Sequence, residues 1–187
     1  MVNKIKSCVF ISGAGSNLRS IIKNSREYNF PIKIELIISD NVNAKGLMIA
    51  KKYNIPFKVF SFSSSKKFER KCLNELRKRK IKFICLAGFM RILSKDFINS
   101  FKNGIINIHP SLLPKFKGLN THKRVLKNGE KYSGCTVHFV TPQLDSGKII
   151  MRKRVSVSKD ETEKSLKKKI LMQEHRLYAK SIISIFR

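Results

Sequence analysis

The chain has 187 residues, with 40 Lys or Arg against 12 Asp or Glu and a formal net charge of +28. That length suffices for one domain with a substantial core, and no apolar run approaches the roughly 18 residues of a membrane-crossing helix. The basic start, MVNKIKSCVFISGAG, holds an apolar stretch of only Cys8 to Ile11. A signal-peptide core needs roughly 7–15 residues, so this stretch reads as a first strand and a cytoplasmic location is expected.

Taken in chain order, KSCVFIS predicts a strand and GAGSNLRSIIKNS a helix, with Leu18, Ile21 and Ile22 at helical spacing. IKIELIISD predicts a strand, AKGLMIAKKYN a helix ending near Asn54, and PFKVF a short strand. SKKFERKCLNELRKRK places Phe68, Cys72, Leu73 and Leu76 on one face of a helix. IKFICLAG predicts a strand, KDFINSF a short helix, GIINIH a strand, and NTHKRVLKNG a short helix stopped by Gly129. SGCTVHFVT and GKIIMRKRVSV predict strands, and DETEKSLKKKILMQEHRLYAKSIISIF a long closing helix. Continuous apolar strands alternating with helices imply an α/β fold: a mostly parallel sheet of about seven strands, covered on both faces. The last strands follow each other closely and are expected to pair antiparallel. Residues 1–187 read as a single domain, without internal repeats.

Cys8, Cys72, Cys85 and Cys135 are scattered and form no C-x-x-C pair. They read as small core hydrophobes, and neither a disulfide framework nor a metal site is expected. The basic excess raises nucleic-acid binding as a hypothesis. Against it, the lysines run along the whole chain and no Arg/aromatic interleaving marks a base-stacking platform. The densest cluster, Glu69 to Lys82, reads as the solvated face of a helix. A local positive field also suits small anionic substrates.

Two stretches carry chemistry. VFISGAGSNL ends a strand with Gly13 and Gly15 and opens a helix at Ser16 and Asn17, both good N-cap residues. Backbone N–H groups and the helix dipole make such a turn an anion site. Leu18 stands where a dinucleotide fingerprint needs its third glycine, so that reading is weak, and an ordinary strand-to-helix turn fits equally well. In NIHPSLLPKFKG, Asn107 and His109 alternate with Ile106 and Ile108 at the end of a strand. They face the crevice where open α/β sheets bind ligands. TPQLDSGKII adds Asp145 from a loop, and His138 alternates with Val137 and Phe139 toward the same crevice. Asparagine and protonated histidine can donate to a developing oxyanion, and a carboxylate beside a histidine favours the imidazolium. Asn, His and Asp therefore suit transfer of an acyl-like group to an amine. Singly, each has a plainer reading: a hydrogen-bonded core histidine, a strand-end amide, and a turn aspartate before Gly147.

The whole chain resembles the phosphoribosylglycinamide formyltransferases. NIHPSLLPKFKG, VHFVTPQLDSGKII, ISGAGSNL, LAGFMRILS and QEH match in the family's order. The resemblance implies a Rossmann-like fold and formyl transfer from 10-formyltetrahydrofolate to the amine of glycinamide ribonucleotide, a step of de novo purine biosynthesis. It implies a catalytic set of Asn107, His109 and Asp145, with His109 as proton donor. It places the nucleotide phosphate on Gly15, Ser16 and Asn17, with Glu174 also contacting the nucleotide. Met90, Arg91, Ile92, Leu93, Asn107, Thr141 and Asp145 would line the folate pocket. The folate acts as co-substrate, no metal is implied, and the partners are small molecules rather than a membrane or nucleic acid. A monomer or weak homodimer is expected.

Some positions depart from the family pattern. Ser65 falls where an arginine often helps hold folate, and Lys66 or Lys67 would bring only a point charge there. Asn120 stands where histidine is frequent, and Ala14 where asparagine is common. Two cousins compete. Methionyl-tRNA formyltransferase needs a C-terminal domain for which 187 residues leave no room. Formyltetrahydrofolate deformylase usually has a second histidine after the catalytic one, where this chain has Pro110.

Overall fold

A computed structural model describes residues 3–187. Its elements are β1 (Ile5–Ile11), α1 (Ser16–Ser25), β2 (Ile32–Ser39), α2 (Gly46–Lys52), β3 (Phe57–Val59), α3 (Ser65–Lys78) and β4 (Phe83–Leu86). They continue with α4 (Lys95–Phe101), β5 (Gly104–His109), α5 (Thr121–Lys127), β6 (Tyr132–Phe139), β7 (Ile149–Ser156) and α6 (Glu163–Ile185). The seven strands form one sheet in the order β3-β2-β1-β4-β5-β6-β7. Strands β1 to β5 pair parallel, and β6 pairs antiparallel with both β5 and β7. The expected architecture is the one observed. Among the described residues no helix is long and apolar enough to cross a membrane.

Strand alternation sorts the apolar side chains into two cores. Val9, Ile11, Ile37, Cys85, Ile106 and Ile108 pack with residues of α1, α2 and α6 on one face. Cys8, Phe10, Leu36, Ile38, Ile84, Leu86 and Ile105 pack against α3 and α4 on the other. The expected opposition of Ile106 and Ile108 to Asn107 and His109 follows from this alternation. All four cysteines are buried and free. Burial pushes the Cys135 thiol up to about 12, so it behaves as a hydrophobe.

Three local expectations need correction. The cap of α1 is Gly15, at φ 75°, and no side chain caps that helix. Ser16 and Asn17 are instead its first helical residues, which leaves their N–H groups free of intrahelical partners. The second helix begins at Gly46 rather than Ala44. Glu69 is buried rather than solvated. Its carboxylate accepts from the Ser94 amide (2.7 Å), the Ser94 hydroxyl (2.6 Å) and the Ser65 hydroxyl (3.1 Å). The acid thus fastens α3 to the start of α4, and charge-assisted bonds offset its desolvation.

Tyr178 of α6 ties the sheet from below. Its buried hydroxyl donates to the Leu86 carbonyl of β4 (2.8 Å) and approaches the Ile106 carbonyl of β5 (3.3 Å). Tyr178→Phe keeps the ring and removes the donor. Urea unfolding should show a loss of about 1 kcal/mol with an unchanged m-value; an unchanged midpoint would remove this tie from the account.

Candidate active site

The order of strands reverses between β1 and β4, which opens a crevice above their carboxyl ends. β1 ends in the glycine turn, and β5, two strands along, ends in His109. Strands lie about 4.8 Å apart, so the two features sit roughly 10 Å apart on one rim.

At the first feature, two chain segments touch. A Cβ on Gly15 would lie 2.6 Å from the Gly46 Cα, and the Gly46 N–H donates to the Gly13 carbonyl at 3.0 Å. The turn is therefore clamped between β1 and α2, and only glycine fits at Gly15. Asn17 turns inward, and its Nδ2 donates to the Glu174 carboxylate of α6 at 2.7 Å. Asn17 Oδ1 is buried without a partner. Burial raises the Glu174 pKa, with the Asn17 bond and Lys167 pulling the other way. Gly15, Ser16 and Asn17 thus lie at one turn, with Glu174 brought to it by the Asn17 bond.

At the second feature, the antiparallel register of β5 and β6 sets Asn107 opposite His138 and His109 opposite Thr136. Asn107 Nδ2 lies 3.3 Å from His138 Nε2. His138 Nδ1 lies 2.9 Å from the Phe139 carbonyl and must donate to it. Neutral His138 therefore presents a lone pair at Nε2, which accepts one Asn107 N–H. Burial, the largest influence, lowers the His138 pKa and favours this neutral form. The loop after β6 brings Asp145 beneath both histidines. One carboxylate oxygen stands 3.3 Å from His109 Nδ1 and accepts the Gly118 N–H at 2.9 Å. The other stands 3.6 Å from His138 Nε2. That loop packs closely: a Cβ on Gly147 would meet the Phe139 carbonyl at 1.8 Å. His109 Nε2 lies 2.9 Å from the Phe116 carbonyl, so both ring nitrogens face oxygen acceptors. An imidazolium can donate to both at once; a neutral ring serves only one.

The expected folate-lining residues are more dispersed. Met90 and Ile92 are each 64% exposed and form an apolar lip. Leu93 lies in the core beside Phe89 and Phe97, not on the surface. The Arg91 Nε donates to Asp40 at 2.7 Å, and its guanidinium lies 4.4 Å from the Phe62 ring centroid. Thr141 closes its own turn by donating to the Gln143 carbonyl at 3.1 Å. The sequence reading placed His138 near the crevice but gave it no role. The backbone groups of Phe116 and Gly118 carry no side-chain signal and were not foreseen. Among the described residues, no group of three or more His, Cys, Asp or Glu could hold a metal ion.

The model of the formyl transferase family matches residues 5–182. This chain belongs to that family. It is 36% identical over 173 residues to the phosphoribosylglycinamide formyltransferase of Escherichia coli (strain K12), covering 91% of this chain and 82% of that one. It is 40% identical over 179 residues to the trifunctional purine biosynthetic protein adenosine-3 of Gallus gallus, of whose length it spans only 18%. The crystal structure of phosphoribosylglycinamide formyltransferase from Brucella melitensis superposes with a TM-score of 0.93 at 40% identity, covering 98% of this chain and 96% of that one.

The buried ionisable groups give the fold a pH signature. Burial lowers the pKa of His122, His138 and His175 below the ordinary value of about 6.5. Below that value the unfolded chain binds protons that the folded chain refuses, so stability falls as pH drops. Glu174 acts oppositely, because its raised pKa lets the folded chain take up a proton first. Unfolding free energy should decline from about pH 7.5 to about pH 5.5. His138→Gln should flatten that decline, and Glu174→Gln should remove the opposing gain that sets in as pH falls through the raised Glu174 pKa; an unaltered slope in His138→Gln would contradict the buried neutral form.

Proposed function

We propose that this protein transfers the formyl group of 10-formyltetrahydrofolate to the amine of glycinamide ribonucleotide, in de novo purine biosynthesis. The observation that carries the reading is the convergence of Asn107, His109 and Asp145 at the end of β5, beside a glycine turn built for an anion. The free N–H groups of Ser16 and Asn17, with Gly15, hold the nucleotide's phosphate. The Glu174 carboxylate and the unpartnered Asn17 Oδ1 receive its hydroxyl or amine hydrogens. Folate lies under the lip of Met90 and Ile92, toward Arg91 and Thr141, with Leu93 packed in the core behind that lip.

The amine nitrogen attacks the formyl carbon, and the carbonyl oxygen takes up the displaced electron pair. Asn107 spends one N–H on His138 and keeps the other for that oxyanion. His109 donates from the other side once its Nε2–H turns from the Phe116 carbonyl that holds it in the resting site, so charge develops between two donors. The C–N10 bond then breaks, and N10 leaves with a proton from the imidazolium. Asp145 holds His109 through Nδ1 and receives the proton lost by the attacking amine, directly or through water. The same reading treats residues 1–187 as one formyltransferase domain, with a nucleotide-binding N-terminal half and a catalytic, folate-binding C-terminal half. It works as a monomer or weak homodimer, in the cytoplasm and without nucleic acid.

The test is turnover of 10-formyltetrahydrofolate followed by absorbance, with and without glycinamide ribonucleotide. Deformylation should require the ribonucleotide. His109→Ala and Asp145→Asn, folded as judged by circular dichroism, should lose about 10²- to 10⁴-fold in kcat. Folate turnover without acceptor would point to a hydrolase instead, and no turnover in folded protein would overturn the catalytic assignment.

A further inference from the structure

The loop between β5 and α5, residues 110–120, carries none of the expected catalytic side chains. It nevertheless supplies two backbone groups to them. The Phe116 carbonyl faces His109 Nε2 at 2.9 Å, and the Gly118 N–H reaches Asp145 at 2.9 Å. Phe116 holds this position at φ 56°, a left-handed conformation that is sterically costly for an aromatic residue. Such a backbone persists only where its surroundings impose it.

Side chains pin the loop in two halves. In the first half, Arg152 of β7 donates to the Leu113 carbonyl at 3.0 Å and Thr136 of β6 to the Ser111 carbonyl at 2.7 Å. The Ser111 hydroxyl closes the turn onto the Lys115 carbonyl at 2.6 Å. At the junction Lys115 donates to Glu130 at 3.0 Å. In the second half, the Lys117 ammonium contacts the Ser146 hydroxyl, the Asp145 carboxylate accepts the Gly118 N–H, and Arg124 of α5 adds a further side-chain tie. Its Nη1 donates to the Lys117 carbonyl at 2.6 Å and approaches the Leu119 carbonyl at 3.3 Å. Its guanidinium also lies 5.4 Å from the Phe116 ring centroid.

We infer that Arg124 is a positioning residue for the formyl-transfer reaction, acting through the Phe116 carbonyl and the Gly118 N–H on His109 and Asp145. The inference rests on the functional reading above. The Lys117 carbonyl shares a peptide plane with the Gly118 N–H, so holding it fixes that N–H directly. The adjoining plane, which carries the Phe116 carbonyl, is steadied by the guanidinium lying 5.4 Å from the Phe116 ring centroid. The guanidinium can grip carbonyl oxygens at its edge while its face lies toward an aromatic ring; an ammonium has no such plane. Arg124 is exposed, whereas its neighbour Val125 enters the core. Its removal therefore loosens the loop without opening a cavity.

Steady-state kinetics on the full chain test this, with kcat and both KM values measured for wild type, Arg124→Ala and Arg124→Lys, and Tm measured alongside. Arg124→Ala should lower kcat about 10-fold while both KM values stay within about twofold, because displaced catalytic groups cost rate rather than binding. Arg124→Lys should recover part of the rate, having a donor but no planar fork, with Tm nearly constant throughout. An active wild type with unchanged kcat in Arg124→Ala overturns this inference alone. A raised KM at unchanged kcat also overturns it, by making Arg124 a substrate contact. A folded wild type without ribonucleotide-dependent turnover overturns the functional reading, and this inference with it.

Discussion

The site depends on the antiparallel register between β5 and β6. That register puts His138 directly across from Asn107, and the hydrogen bonds then run in one direction. The Phe139 carbonyl takes the Nδ1 hydrogen of His138, so Nε2 is left as an acceptor, and Asn107 must turn its NH₂ group toward it. A primary amide has two N–H bonds. Once one is committed to His138, the second has a fixed direction into the crevice. A slip of β6 by one residue against β5 would send His138 to the face of the sheet opposite Asn107.

The same economy governs the acids. The chain has only 12 of them against 40 Lys or Arg, yet Asp40, Glu69, Asp145 and Glu174 are all buried. Each has a task inside the fold: Asp40 anchors Arg91, Glu69 staples α3 to α4, Asp145 holds His109, and Glu174 receives Asn17. The solvent-facing surface is therefore more one-sidedly basic than the composition alone conveys. A positive field raises the local concentration of anions, and the proposed substrates, a phosphorylated amine and a folate with glutamyl carboxylates, are both anionic.

Much of this was legible in the sequence because its local signals agree with the fold. Apolar runs such as CVFI and FICL are too continuous for a one-sided strand, and they are the central strands of the sheet. Asn107 and His109 stand out by strand alternation at the end of β5, the family pattern adds the loop residue Asp145, and the fold brings the three side chains near one another. What escaped depends on contacts between distant segments. Glu69 lies in a run of charges that looks solvated, and only the approach of Ser94 makes burial tolerable. Gly15 rather than Ser16 caps α1, because the backbone must pass within contact of Gly46. Leu93 stands in a motif that resembles a ligand loop, yet it is buried in the core cluster that holds Phe89 and Phe97. The Phe116 carbonyl and Gly118 N–H are backbone groups, and no residue identity encodes where they point.

The direct test of this hydrogen-bond chain is ¹⁵N NMR of the imidazole groups in uniformly labelled protein, with His138→Gln used to assign the His138 signals. The structure predicts a His138 that is neutral at neutral pH, with its proton on Nδ1 and an unprotonated Nε2. A His138 with its proton on Nε2, or on both nitrogens, would reverse the bond to Asn107. The amide would then face the ring with its oxygen, and the account of a fixed oxyanion donor would fail.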